Sequence, residues 1–175
     1  MNSLRKTIRH AFRELLTGRT VQAGRNVFSS RIHPLMLEEL PAINVWAGDE
    51  ESEEYTQAPL SYRKTLDIVI ELFIRSVESA DDKMDDFINA VQSIIDGSDL
   101  FTLNGKVSSI RYAEGHVELR GESTKEGAVA TLIYKVTYYT SAGVTAEDLP
   151  DLEVIHANWN DPAPDAVTQD EIIFP

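Results

Sequence analysis

An α+β fold is predicted, with a mostly antiparallel mixed sheet, two helices packed on it and an extended C-terminal arm. Three observations predict it. From Tyr62 to Arg75 the chain alternates, with Tyr62, Leu66, Ile68, Ile70, Leu72 and Ile74 on one side and Lys64 the one polar residue among them. Arg63, Thr65, Asp67, Glu71 and Arg75 fall on the other side, and a period of two is that of a long half-buried strand. Directly afterwards, Ser79 to Gly97 switches to a helical period, with Met84, Phe87, Ile88, Val91 and Ile95 on one stripe. Ala128 to Thr140 alternates again, placing Ala130, Leu132, Tyr134, Val136 and Tyr138 on one face. These segments spend their apolar residues on a shared core, so function is sought on surfaces.

The remaining elements follow in order. Leu4 to Leu16 is an amphipathic helix with Leu4, Ile8, Ala11, Phe12, Leu15 and Leu16 on its apolar face, and Gly18 stops it. Arg25 to Ile32 is a short strand ended by Pro34, and Leu40 to Trp46 is a second, with Pro41 at its start. Gly48 to Pro59 is acidic and lacks apolar periodicity, which predicts a flexible loop. Asn104-Gly105 and Glu114-Gly115 read as turns, which separate short strands at Val107–Tyr112 and His116–Arg120. The predicted order is α-β-β-β-α-β-β-β. Residues 1–142 form the domain and 143–175 an acidic, proline-broken arm in which Leu152 to Trp159 is one more strand.

A chain of 175 residues suits a single domain with a real core. It has no cysteine, which excludes disulfides, thiolate catalysis and cysteine-ligated metals. No apolar run reaches the ~20 residues that span a bilayer. The first residues lack the apolar stretch of a secretion signal, which points to a protein made in the cytosol. The net charge of −13 is unevenly spread. Residues 1–33 carry seven bases and one acid, residues 34–100 four bases and sixteen acids, and residues 141–175 eight acids and no base. Such polarity favours head-to-tail association between copies, a basic end meeting an acidic flank. It disfavours nucleic acid as the main ligand, because phosphate affinity needs a concentrated positive surface.

Few residues carry a chemical pattern. Asp81, Asp82, Asp85 and Asp86 form i, i+4 pairs that offer oxygen ligands to Mg²⁺, the basis of an alternative reading as a Mg²⁺-dependent enzyme. The structural account is that acids in a first turn suit the positive end of the helix dipole, with Ser79-x-x-Asp82 close to a capping box. His10, His33, His116 and His156 have no ligand spacing, and there is no phosphate loop, nucleophile elbow or dinucleotide fingerprint. No catalytic residue, cofactor site or metal site is assigned. The candidate interface residues are Arg5, Arg9 and Arg13, which make a basic helix stripe, and the acids Glu50, Glu51, Glu53 and Glu54. Tyr62 and Lys64 at the start of the long strand, Tyr139 at the end of the last one, and Trp159 in the arm complete the set. A nucleic-acid-binding monomer using the arginine stripe is a further alternative.

The chain resembles the tail terminator proteins of long-tailed bacteriophages, the lambda-type minor tail protein U family. The likeness lies in the opening helix ending at Gly18, Val27-Phe28 with Leu40-Pro-Ala-Ile-Asn-Val-Trp46, and Leu66-Asp-Ile-Val-Ile-Glu-Leu-Phe73. It continues in the acidic-headed helix with Asp85-Asp86-Phe87 and the closing strand Leu132-Ile-Tyr-Lys-Val-Thr-Tyr138, and so covers residues 1–140. The resemblance implies a virion protein that closes into a homohexameric ring. Such a ring would cap the tail tube, stop its polymerisation and offer its other face to the head-completion proteins, in the neck of a particle assembled in the bacterial cytoplasm. DNA would pass through the lumen without specific binding, and no membrane is involved. Another ring of the same neck is the nearest alternative.

Overall fold

The computed structural model describes residues 3–76, 78–98, 107–120, 127–141, 154–158 and 169–173. The chain divides into two compact units, Met1–Ser141 and Ala142–Pro175. The first is α+β: α1 (Leu4–Leu16), β1 (Val27–Ser29), a 3₁₀ turn at Leu37–Glu39, β2 (Ala42–Gln57), β3 (Leu60–Ile74), α2 (Ala80–Asp96), β4 (Ser109–Arg120) and β5 (Gly127–Ser141). Its sheet runs β1-β2-β3-β5-β4, with β1 parallel to β2 and every other pair antiparallel. In the second unit, β6 (Val154–Asn158) pairs antiparallel with β7 (Gln169–Ile173). The predicted strand at Leu152–Trp159 is thus present in shortened form, and it has a partner that the picture of a purely extended arm omits.

The core lies between one face of the sheet and both helices. Central strand β3 buries Leu66, Ile68, Ile70 and Leu72 completely, and β5 buries Ala130, Leu132, Tyr134 and Val136 opposite them. Ile8, Phe12 and Leu16 of α1 recur every four residues and face this layer, as do Met84, Phe87, Val91 and Ile95 of α2. Phe12 reaches across to Tyr134, with ring centroids 6.1 Å apart. Ile70 and Leu132 are register partners in the same buried cluster as Phe87.

Four expectations need correction. Residues 48–57 are not a loop but the second half of β2, paired with β3 up to a two-residue turn at the cis Ala58-Pro59 bond. The ladder supplies the backbone hydrogen bonds, so neither side needs to be apolar. Glu114-Gly115 is not a turn, since β4 runs through it with a bulge between Tyr112 and Glu114. A Cβ at 115 would meet the Tyr112 hydroxyl, which lies over that backbone, so a larger residue there needs the Tyr112 side chain to move aside. The first unit therefore has one strand fewer than predicted. The Ser79 capping box does not form: Ser79 is left-handed (φ 51°) and its side chain caps nothing. The strand over Arg25–Ile32 shrinks to Val27–Ser29 because Ser30 turns left-handed (φ 53°). Asn104-Gly105 lies outside the described residues.

Candidate functional site: the ribbon and its base

Past residue 50, β2 leaves the core, and residues 51–57 are exposed throughout. With the start of β3 and the end of β5 it forms a three-stranded ribbon, in which Glu54 pairs with Tyr62 and Tyr62 with Thr140. Two bulges on β2 set which side chains face where. Ala47 pairs with Ile68 and Glu50 with Leu66, so β2 carries one extra residue between them. A one-residue slip moves every later side chain to the opposite face. Before the bulge Ile43, Val45 and Ala47 face the helices. After it Glu50, Ser52 and Glu54 do. The second bulge, between Glu54 and Thr56, reverses the parity again around Tyr55.

The first bulge brings Glu50 to the helix side, where three partners converge. Tyr138 Oη donates to Glu50 Oε2 at 2.7 Å and Lys64 Nζ donates to Oε1 at 3.2 Å. Arg5 Nη1 of α1 lies 3.9 Å from the same carboxylate, and Arg5 Nη2 donates to the carbonyls of Ala47 (2.9 Å) and Gly48 (2.5 Å) in the bulge. Burial pushes the Glu50 carboxyl up, but the hydrogen bonds from Tyr138 and Lys64 and the charges of Lys64 and Arg5 outweigh it and hold it below the usual range. The Tyr138 phenol moves well above its ordinary value, through burial first and then through the Glu50 hydrogen bond and charge.

On the opposite face Tyr55 packs on Tyr139, with ring centroids 4.7 Å apart, and Arg63 pairs with Glu53 through Nε at 2.9 Å and Nη2 at 2.8 Å. Both ends of that ion pair are exposed, so it steers the ribbon more than it stabilises it. Glu51 and Glu54 are exposed and have no ion pair among the described residues.

The candidate residues thus separate. Arg5, Glu50 and Lys64 meet one another within one chain, whereas Glu51, Glu53, Glu54 and Tyr139 line the ribbon surface. Tyr62 is half-buried beside them. Along α1 the arginine stripe turns outward by about 40° per four-residue step. Arg5 accordingly reaches the sheet, Arg9 is half-buried and Arg13 is exposed. Trp159 lies outside the described residues. Asp81, Asp82, Asp85 and Asp86 are all exposed, and among the described residues no three His, Cys, Asp or Glu groups are placed to hold a metal ion. No helix among them is long and apolar enough to cross a membrane.

A second polar group was not anticipated. Under residues 30–40, Arg31 pairs with both Glu39 oxygens at 2.7 and 2.8 Å and stacks 4.4 Å from the Phe28 ring. Asn44, 7% exposed, accepts the Arg31 backbone N–H and donates to Glu71 Oε2 at 3.0 Å. The Arg31 hydrogen bonds, with one from the Met36 backbone, hold the Glu39 carboxyl below its usual value. A cavity of about 520 Å³ opens here, lined by Asn44, Glu71, Phe73 and Arg75 together with Ile32 and Leu37. Its readable signal was the lone asparagine inside the apolar run Ala42-Ile-Asn-Val45.

Comparison with protein-family models gives no match, and comparison with curated proteins gives none either.

Proposed function

We propose that this chain is a structural virion protein without enzymatic activity. Its role would be that of a tail terminator, whose ring caps the tail tube, ends tube polymerisation and joins the tail to the head-completion proteins. The observation that carries this reading is the β2–β3 ribbon. Past Glu50 its β2 strand is exposed throughout, so apolar burial cannot account for it, yet its base is fastened through Glu50 to β3, β5 and α1. A projection fastened at its base and without a core of its own suits contact with a neighbour. Further support comes from the segments on which the resemblance rests. Those at Leu66–Phe73, Asp85–Phe87 and Leu132–Tyr138 lie in one layered body in the expected order. Uneven charge suits heterologous contacts that close a ring, and a strongly acidic protein suits a channel along which DNA slides without sticking.

The test is polymerisation of the tail-tube protein encoded with this chain. Adding the chain should shorten the tubes seen by electron microscopy and leave a ring at one end. Unchanged tubes with the chain bound to head-completion protein instead would assign it to another ring of the neck.

A further inference from the structure

Seven bases and one acid fall within residues 1–33, and among the described residues two of those bases have an ion-pair partner. Arg5 is held by β2 and Arg31 by Glu39. Lys6, Arg9, Arg13, Arg19 and Arg25 have no carboxylate at ion-pair distance among the described residues. Lys6 and Arg13 are exposed on α1 and Arg9 is half-buried at the edge of its buried stripe, while Glu14, the one acid of that helix, lies off the basic stripe. Arg19 and Arg25 flank the tight turn that closes where Gly18 N–H donates to the Gly24 carbonyl at the helix end. Val21, in the same turn, is 97% exposed. The result is a positive surface with one bare apolar residue on a protein of net charge −13.

We propose that this flank of α1 docks the acidic C-terminal segment, residues 142–175, of a second copy of the chain. The proposal rests on the ring reading above and names one of its contacts. Three observations select this occupant. Residues 142–175 carry eight acids and no base, with Leu152, Val154, Ile155 and Trp159 as apolar matches for Val21. The chain leaves β5 at Ser141, which is paired with Ser61 on the exposed ribbon, so the segment starts where the protomer projects. The twelve residues between Ser141 and β6 reach at most about 40 Å, enough to extend onto an adjacent copy.

The other acids of the chain fit less well: Glu51 and Glu54 are exposed with no ion pair among the described residues, but they number two against the eight of 142–175. Glu50 and Glu53 are already paired within their own chain. Asp81 and Asp82 sit in the first turn of α2, where the helix dipole offsets part of their charge, and Lys83 lies among them.

Lys6 is the lysine of this surface, so carbodiimide coupling of amines to carboxylates reports the contact directly. Full-length isotope-labelled and unlabelled chains are mixed, assembled and coupled, and the cross-links are mapped by mass spectrometry. Lys6 should join a carboxylate within 142–175 of the other isotopic form. In the full chain, R9E/R13E should weaken association about tenfold, the effect of several exposed ion pairs lost together, and D148R/D151R in the same assembly should restore part of it. Cross-links from Lys6 within one copy, or to residues 50–54 or 81–86 of another, overturn the proposal while leaving a ring intact. A chain that remains a monomer overturns the ring reading itself. A short DNA duplex that binds the native chain and not R9E/R13E, with no link to 142–175, would assign the surface to phosphate and also overturn the proposal.

Discussion

β2 and β3 pass through two different environments. Within the body, β3 buries alternate residues from Leu66 to Ile74 against two helices. Within the ribbon β2 is exposed and β3 half-buried, both carry charges, and their pairing continues to Gln57↔Leu60. In the body, apolar burial specifies the register, because a one-residue slip would turn the core out to solvent. The ribbon lacks that constraint, and specific polar contacts take its place: the Glu50 group on one side, Tyr55–Tyr139 and Arg63–Glu53 on the other. Strand pairing alone therefore does not show where the stability of a strand comes from.

Substitutions in the two regions should separate these regimes. Phe87→Ala in the body should lower unfolding free energy by about 3–5 kcal/mol, the cost of truncating a fully buried aromatic, measured by denaturant titration. A loss under about 1 kcal/mol would mean that α2 does not seal the core. At the base of the ribbon, Glu50→Ala strands a half-buried lysine and a buried phenol and should cost about 1–3 kcal/mol. Its loss should appear as faster hydrogen exchange in residues 50–66 rather than throughout the body. At the exposed face, Arg63→Ala should cost about 0.2–1 kcal/mol, less than either.

The pH dependence sharpens the middle case. Glu50 titrates below its ordinary value in the folded chain, so its stabilisation is complete above the unfolded carboxylate pKa of about 4.3 and is lost as pH falls through the lower folded value. The stability difference between the native chain and Glu50→Gln should be constant above about pH 5 and shrink in more acid solution. A difference that grows on acidification would mean that the carboxylate is not ionised in its site.

The same contrast explains what was legible in the sequence. α1, β3, α2 and β5 were readable because each has a buried and a solvated side, which writes a period into the residues. Residues 51–57 are exposed throughout, so this half of the strand left no period, and 48–59 reads as a loop. Gly115 read as a turn because nothing local indicates that Tyr112 folds over it. Among the site residues, Arg5, Glu50 and Lys64 were identifiable as charges but not as one group. Their meeting depends on an extra residue near Gly48 that reverses the side-chain parity of β2. Asn44 and Glu71 were visible as polar residues in apolar strands, and their partner Arg31 comes from an irregular segment that carries no period.

Native mass spectrometry of the full chain tests whether these exposed charges and the ribbon serve assembly into a ring. A ring of the proposed kind gives a species of six times the 19.6 kDa protomer mass at low salt, losing population as salt approaches 1 M, where the screening length falls to about 3 Å. A single 19.6 kDa species at every protein concentration and salt would contradict it.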